Sequence, residues 1–231
     1  MGAVIIGCGK ATPALEIFND DLKELVDTND EWISTRTGIK SRHIAVEEST
    51  QVLAYAASVS AMGIENSLYP DVDCEGYVIK PTALEDIDLV IFPTITPDSI
   101  VPSAAAALRR CMGLENAIAF DINAACSGFI YGLSVAESMM AATHIDSDAS
   151  RRHAKPINKA LVICSERLSR LTDWAERGTC VLFGDGAGAA VLEWSEEETG
   201  IVSSYLQNDD DTTNSLTCLA DYTASFPFAV A

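Results

Sequence analysis

Residues 117–142, AIAFDINAACSGFIYGLSVAESMMAA, constrain the fold of this chain more than any other stretch. Their pattern predicts a short buried strand over 117–122, a turn of small residues and a long helix with an apolar face. Cys126 lies at the start of that helix, where the positive end of the helix dipole favours the nucleophilic thiolate. The small neighbours that leave room for a substrate are Ala124, Ala125, Ser127 and Gly128. Cys126 is therefore a candidate for covalent catalysis.

The alternative is that Cys126 is an inert core residue, since free cysteines are among the most buried residue types. The chain has seven cysteines, with no CxxC pair and no metal-like spacing of Cys and His, so we expect no metal site. An odd number of cysteines without a signal-peptide pattern predicts a reducing cytoplasm.

The length of 231 residues and the 48% share of hydrophobic residues predict one large domain or two small ones with an ample core. The net charge of −19 argues against nucleic acid as a partner. No apolar run is long enough to span a membrane, so we expect no membrane partner either. Acidic residues cluster in four places interpreted as solvated loops: Asp71/Asp73/Glu75, Glu85/Asp86/Asp88, 196–198 and 209–211.

Apolar runs alternate with alanine-rich stretches, which predicts βαβ units and a mostly parallel sheet. An acidic surface excursion is predicted over 65–86 and a polar insertion over 144–158. The predicted strands are 4–6, 88–94, 117–122 and 160–164, and the predicted helices are 19–25 with Asn19 as its N-cap, 49–62 and one from Ser103.

Two glycine patterns have more than one interpretation. Gly7-Cys8-Gly9 is read as a turn after the first strand, because a phosphate-binding loop would need a third glycine or a GK[ST] sequence. The run GDGAG at 184–188 has no central serine and is not a nucleophile elbow. It suits a backbone that crosses closely under another element.

Trp32 precedes Arg36 by four residues in the segment 27–39. On a helical turn this spacing presents a stacking face and a phosphate partner on one side. The alternative is that Trp32 is a core residue and Arg36 a surface residue.

Four stretches, in this order, resemble the 3-oxoacyl-[acyl-carrier-protein] synthase III family of the thiolase-like superfamily: VDTNDEWISTRTGIKSRHIA, VPSAA, FDINAACSGFIYGLSVAE and RGTCVLFGDGAGAAVLE. The resemblance covers residues 1–207. It implies an α/β fold, the N-terminal half of a duplicated α-β-α-β-α fold with a mostly parallel or mixed sheet. Residues 1–195 would form that half with its Cys nucleophile, and 196–231 an incomplete start of the C-terminal half.

The resemblance also implies roles for individual residues. Cys126 matches the acylated nucleophile. Trp32 and Arg177 match residues that sandwich the coenzyme A adenine, and Thr28 and Arg36 match others near the nucleotide and phosphates. Such stacking is physically reasonable, because indole and guanidinium groups are flat and one is cationic. Val101 stands where many members have a bulky Phe, which suggests room for a larger or branched primer.

The family mechanism implies a ping-pong reaction that initiates fatty acid biosynthesis. An acyl-CoA would acylate Cys126, and malonyl-acyl carrier protein would then decarboxylate and take the acyl group. The resemblance further implies a homodimer in the cytoplasm, with strand 117–122 at the dimer axis. Acyl-CoA is a substrate, and no cofactor is expected.

The sequence departs from the family in one respect that bears on this mechanism. A His and an Asn that stabilise the developing enolate lie in H-Q-A-N and H-G-N contexts in the family, and neither context occurs here. The histidines present are His43, for which we expect a structural role, His144, about 27 Å along a helix from Cys126, and His153 in the polar insertion.

Three interpretations follow from this departure. The chain is a fragment of a full synthase, it needs a second polypeptide, or it is a non-catalytic CoA-binding or subunit-interaction half. We favour a fragment that acylates itself on Cys126 without condensing. A lone half is also expected to expose the apolar face that meets the other half.

Overall fold

The computed structural model describes residues 1–144, 155–197, 200–210, 212–213 and 215–218. In this part of the chain the strands form one six-stranded sheet and one separate two-stranded sheet. The elements in chain order are β1 (Gly2–Thr12), β2 (Leu15–Phe18), α1 (Asp30–Thr37), β3 (Ser41–Ile44), α2 (Thr50–Met62), β4 (Asp73–Val78), β5 (Leu89–Pro93), α3 (Ala104–Met112), β6 (Ile118–Ile122), α4 (Gly128–His144), β7 (Lys159–Arg167), α5 (Arg177–Cys180) and β8 (Asp185–Ser195).

The large sheet has the strand order β4-β1-β8-β7-β5-β6. Strand β5 pairs in parallel with β6 and β7, whereas the pairs β1–β4, β1–β8 and β7–β8 are antiparallel. The sheet is therefore mixed, and its parallel part is confined to the three strands at one end. The α/β fold class is confirmed.

Helices cover both faces of the sheet, and β5 shows this most directly. Its side chains alternate between two apolar clusters. Val90 and Phe92 pack with residues of α2 and α3, whereas Leu89 and Ile91 pack with residues of α4. All of β5 is buried, as expected for a parallel strand with a helix layer on each face. The predicted strand 88–94 is confirmed.

Gly7 and Gly9 lie inside β1, not in a turn after it, so the predicted turn is wrong. Helix α2 crosses β1 at backbone contact. A Cβ on Gly7 would lie 2.0 Å from the carbonyl oxygen of Ala61, and a Cβ on Gly9 would lie 2.3 Å from that of Ala57. The two glycines therefore allow the close approach of a helix and have no geometry for binding phosphate.

The helix predictions at 49–62 and from Ser103 are confirmed, with Ser49 and Ser103 as the N-caps of α2 and α3. The prediction for 19–25 is wrong in detail. Residues Asn19–Glu24 form a 3-10 helix, and Asn19 is not its N-cap. The Asn19 side chain is instead buried and bonded to groups around it, and this difference becomes important below.

The prediction of an irregular acidic surface excursion over 65–86 is also corrected. The acidic excursion 65–86 contains β4, which pairs with β1 at the sheet edge and has its exposed Glu75 2.9 Å from Lys10. Strand β8 starts at Asp185, so most of the glycine run at 184–188 lies within it.

Strand 117–122 forms as β6, but it is not buried as predicted. It is the last strand of the sheet, and Ile118 is 48% exposed. The apolar face of α4 is also partly uncovered, with Ile130 51% exposed.

Most of the predicted polar insertion, residues 145–154 with His153, lies outside the described residues. At its end, Lys155 Nζ and the backbone N–H of Asn158 donate hydrogen bonds to Asp88, each at 2.8 Å. The predicted division of the chain at residue 195 stays a prediction. Among the described helices, none combines the length and hydropathy needed to cross a membrane.

Candidate functional site

The strand–turn–helix around Cys126 has the arrangement that the sequence predicted. Strand β6 ends at Ile122, a 3-10 turn spans Ala125–Ser127, and α4 begins at Gly128. Ala125 has φ 45°, the left-handed region that residues other than glycine rarely adopt. Such strained turns concentrate at functional sites. The Cys126 side chain is exposed, which contradicts the alternative of an inert core cysteine.

The start of α4 packs directly onto the end of β5. A Cβ on Gly128 would lie 2.7 Å from the Pro93 Cβ, and one on Gly132 would lie 2.8 Å from a Val162 methyl group. The N–H of Thr94 donates a hydrogen bond to the carbonyl of Ile122 at 3.1 Å. Gly128 is therefore small because helix and strand touch there, and not to give a substrate room as the sequence suggested.

Glu166 fixes the segment that follows β5. Its carboxylate accepts hydrogen bonds from the N–H of Ile95 at 2.8 Å, from the N–H of Thr96 at 3.0 Å and from the Thr96 hydroxyl. This segment adjoins the Cys126 turn through Thr94. Sequence reasoning missed Glu166, although an acidic residue at the end of a buried strand was a signal for it.

The loop from β5 to α3 carries Val101, whose side chain is 85% exposed. The loop ends where α3 starts, and there the N–H groups of Ala104 and Ala105 donate to the Asp121 carboxylate at 2.8 and 2.7 Å. Asp121 belongs to β6 and precedes Cys126 by five residues. One strand thus anchors both the Val101 loop and the nucleophile turn.

Three predicted residues come together at α1 and are called the Trp32 cluster: Trp32, Arg36 and Arg177. The guanidinium carbon of Arg36 lies 4.5 Å from the centre of the Trp32 ring, and that of Arg177 lies 4.6 Å from it. Arg177 Nη1 also donates to the carbonyl of Asp27 at 3.0 Å. The fold therefore joins α5 to α1 at the indole, although the two helices are far apart in sequence.

Trp32 satisfies parts of both sequence interpretations. One part of its indole packs against a small buried cluster of Leu22, Ile33, Cys180 and Val181, which holds α1, α5 and the 3-10 helix together. The two guanidinium groups contact the ring, and both arginines are exposed. In a chain of net charge −19, this is a local pair of cations beside a flat aromatic surface, suited to a base with phosphates.

Thr28 adds an unusual feature next to this cluster. Its Oγ1 is buried, and among the described residues it has no hydrogen-bond partner. Buried hydroxyl groups are nearly always paired, so an unpaired one calls for an explanation. It follows directly after Asp27, the residue that Arg177 binds.

Environment shifts three pKa values in and near these regions. Hydrogen bonds from Asn19 and Ser34 hold the pKa of the Asp30 carboxyl below its ordinary value. Burial lowers the pKa of Arg42, whose guanidinium group donates to the carbonyl of Val181 in the small buried cluster. Burial, with a smaller effect of Glu166, raises the pKa of the Cys164 thiol to about 12.

The two described histidines bond to backbone carbonyls. His43 Nδ1 donates to the carbonyl of Pro13 at 2.7 Å, which fits the structural role expected for it. His144 lies at the far end of α4 from Cys126, stacked on Trp194 with ring centres 5.1 Å apart. Within the described ranges, no group of three or more His, Cys, Asp or Glu side chains could hold a metal ion.

Comparisons with known proteins identify the family and the fold that the chain resembles. The family described as 3-oxoacyl-[acyl-carrier-protein (ACP)] synthase III matches residues 120–210. The chain is 44% identical over 208 residues to a beta-ketoacyl-[acyl-carrier-protein] synthase III of Xylella fastidiosa, covering 90% of this chain and 56% of that protein. It is 42% identical over 216 residues to one of Clostridium botulinum, covering 93% and 57%.

Solved structures show the same fold. The chain is similar to the 3-oxoacyl-[acyl-carrier-protein] synthase III of Aquifex aeolicus, with a TM-score of 0.70 and 40% identity over 85% of this chain and 55% of that one. It is also similar to the enzyme of Pseudomonas aeruginosa, with a TM-score of 0.69 and 34% identity over 87% and 54%. The thiolase-like fold predicted from the sequence is confirmed. The chain spans about half the length of the relatives it matches.

Proposed function

Because this chain belongs to the 3-oxoacyl-[acyl-carrier-protein] synthase III family over the part that it spans, we propose that it is the nucleophile-bearing half of an acyltransferase. The proposed reaction condenses an acyl-CoA primer with malonyl-acyl carrier protein to a 3-oxoacyl product and so initiates fatty acid biosynthesis. The observation that carries the proposal is the exposed thiol of Cys126 on the strained turn between β6 and α4.

In the first half-reaction the Cys126 thiolate attacks the thioester carbonyl of acyl-CoA. A bond forms between the cysteine sulfur and the acyl carbon, the bond from that carbon to the CoA sulfur breaks, and CoA leaves as a thiolate that takes up a proton. The first N–H groups of α4 support the negative charge that develops on the carbonyl oxygen, because the start of a helix has spare donors.

The Trp32 cluster is the proposed site for the nucleotide of CoA. The adenine would stack on the indole and a guanidinium group, and Arg36 and Arg177 would supply charge to the phosphates. The unpaired hydroxyl of Thr28 would reach the bound nucleotide by rotation of its side chain and so find its missing partner. CoA is a substrate in this scheme, and no cofactor is required.

The second half-reaction needs donors that stabilise the enolate formed when malonyl-acyl carrier protein loses carbon dioxide. The H-Q-A-N and H-G-N contexts that would supply them do not occur in the 231 residues. We therefore expect this chain by itself to stop at the acylated Cys126. A cytoplasmic homodimer joined along β6, with the N-terminal half in residues 1–195, completes the proposal.

Acylation is tested by incubating the chain with a mass-tagged acyl-CoA and locating the adduct by peptide mass spectrometry. One acyl group is expected on Cys126, and none in a Cys126→Ser variant. Cys111→Ser is the matched control, because Cys111 is also exposed but lies in α3. This variant should be acylated like the parent chain.

An unmodified parent chain, or an adduct that persists in Cys126→Ser, would overturn the proposed acyl transfer. CoA binding without any adduct would instead favour the non-catalytic CoA-binding half that the sequence left open.

A further inference from the structure

Beneath the Trp32 cluster lies a buried polar pair, Asn19 and Arg42, 1% and 6% exposed. Neither belongs to the proposed nucleotide site itself. Arg42 Nη2 donates to Asn19 Oδ1 at 2.8 Å, which makes the pair one connected unit. Burying a guanidinium group is costly unless it is well bonded, so this pair calls for a reason.

One end of the unit holds α1, the helix that carries Trp32 and Arg36. Asn19 Nδ2 donates to Asp30 Oδ1 in the first turn of α1 at 2.7 Å. It also donates to the carbonyl of Ile39, just past the end of α1, again at 2.7 Å. A single amide group thus binds both ends of the same short helix.

The other end holds α5, the helix that carries Arg177. Arg42 Nη2 donates to the carbonyl of Val181, the residue after α5, at 3.1 Å. A one-turn helix has little stability of its own, so its place depends on such anchors. The route from Asp30 through Asn19 and Arg42 to Val181 is a buried polar link between the two sides of the Trp32 cluster, in addition to the exposed bond from Arg177 to Asp27.

We infer that Asn19 and Arg42 are positioning residues that fix the spacing between α1 and α5, the helices that carry Trp32 and Arg177, and, through it, set the affinity for the nucleotide of CoA. The statement about affinity rests on the proposed function, whereas the statement about spacing does not. Lysine at position 42 would keep the charge but could not bond to Asn19 and Val181 in the same planar geometry. The spacing would then be lost while the buried positive charge remained.

The test uses a reference chain in which Trp174 and Trp194 are replaced by Phe, so that Trp32 is the sole tryptophan. Two quantities are measured for each variant: acrylamide quenching of Trp32 fluorescence without ligand, and the Kd for CoA by calorimetry. The variants are Arg42→Lys and Asn19→Ser. The matched control is Arg167→Lys, since Arg167 donates to the carbonyl of Ala45 at 3.0 Å and, like Arg42, has an unpaired buried Nε among the described residues.

Arg42→Lys and Asn19→Ser should each make Trp32 easier to quench and raise the Kd for CoA about tenfold. Arg167→Lys should leave both quantities within about twofold of the reference chain. If the reference chain binds no CoA but Trp32 is still easier to quench in the two variants, the proposed function is refuted and the positioning role stands.

Three results would overturn the inference. The first is that the reference chain binds CoA and that the Arg42→Lys and Asn19→Ser variants have the same Trp32 quenching and the same Kd for CoA as the reference chain. The second is an equal effect of Arg167→Lys. The third is unfolding of both variants while Arg167→Lys stays folded, as judged by circular dichroism, since the pair would then support the whole fold and not the spacing.

Discussion

The guanidinium carbon of Arg177 lies 4.6 Å from the centre of the Trp32 indole ring, in direct contact with it. Stacked planar groups lie about 3.5 Å apart, so a base inserted between them would separate the two by about 7 Å. The adenine sandwich implied by the sequence resemblance therefore requires Arg177 to move outward. Arg177 is exposed and anchored by its hydrogen bond to Asp27, which is the contact that such a movement would break.

Replacing Trp32 by Ala should weaken CoA binding by about 1–3 kcal/mol, the usual contribution of a base stacked on an aromatic ring. Calorimetric titration with CoA measures this loss. Trp194→Phe is the control, because Trp194 stacks on His144 at the far end of α4. Equal affinities of the Trp32→Ala and Trp194→Phe variants would contradict the assignment of the nucleotide site.

Thr28→Val should have opposite effects on stability and on binding. Removing the buried, unpaired hydroxyl should raise the free energy of unfolding by about 1 kcal/mol, since an unsatisfied polar group is lost without a change of shape. CoA binding should weaken, because the hydroxyl is proposed to bond to the nucleotide. Urea unfolding and calorimetry measure the two effects.

The control for this change is Thr35→Val in α1. Thr35 Oγ1 already donates to the carbonyl of Glu31 at 2.7 Å, so its loss should leave CoA affinity unchanged. A Thr28→Val variant that keeps full affinity would show that the hydroxyl has no part in binding.

Gly9→Ala should destabilise the fold by about 1–3 kcal/mol, as overpacking of a tight interior does. The new Cβ would lie 2.3 Å from the carbonyl oxygen of Ala57 and 2.5 Å from the nitrogen of Ala61, and backbone atoms cannot turn aside. Gly188→Ala in β8 is the control, because nothing lies within 4 Å of its Cβ position. The midpoint of thermal unfolding is measured for both variants, and equal midpoints would refute the close contact of α2 with β1.

The cysteines should react with iodoacetamide in two classes at about pH 8. Cys126, Cys8, Cys111 and Cys218 are exposed and should be labelled first. Burial raises the pKa of Cys164 to about 12 and also raises that of Cys180, so few thiolates are present at either site and labelling should be slow. Peptide mass spectrometry over time gives the order, and early labelling of Cys164 in the folded chain would contradict the structure.

The raised pKa of Cys164 also makes the stability of the fold depend on pH. The protonated thiol is favoured in the folded state, so its contribution to the free energy of unfolding is fully present below pH 9.0. This contribution is lost as the pH rises from there to about 12. Cys164→Ala should therefore unfold with a weaker dependence on pH in that alkaline window.

Val101→Phe should narrow the range of acyl-CoA primers that acylate Cys126. Val101 lies on the loop between β5 and α3 and is 85% exposed, so the larger side chain can be accepted without overpacking the core. Acylation rates with acetyl-CoA and with branched or longer acyl-CoA measure the preference. A parent chain strictly selective for acetyl would refute the idea that the smaller residue admits larger primers.

Local pattern was sufficient wherever a single element decides the outcome. The strand at β5, the serine caps of α2 and α3, and the strand–turn–helix around Cys126 follow from hydrophobic periodicity and capping chemistry within short windows. The matching stretches also predicted the family and the thiolase-like fold.

Predictions from the local pattern were wrong where contacts with residues far away in the sequence determine the role of a residue. Asn19 has the composition of an N-cap, but partners in α1 and β3 turn it inward. Gly128 was expected to leave room for a substrate because it is small, but the Pro93 side chain lies against it. Strand β4 lies within an acidic stretch without strand pattern, and it forms by pairing with β1.

The sequence by itself determined which residues are candidates for the chemistry: Cys126 after its strand, and Thr28, Trp32, Arg36 and Arg177 in the matching stretches. Only the tertiary structure decided that Arg177 and Arg36 contact the Trp32 indole, that Thr28 is left with an unpaired hydroxyl and that Asn19 and Arg42 link the two sides. The physical reason is that element type depends on short-range periodicity and capping, whereas the spacing of groups far apart in sequence depends on long-range packing and buried hydrogen bonds.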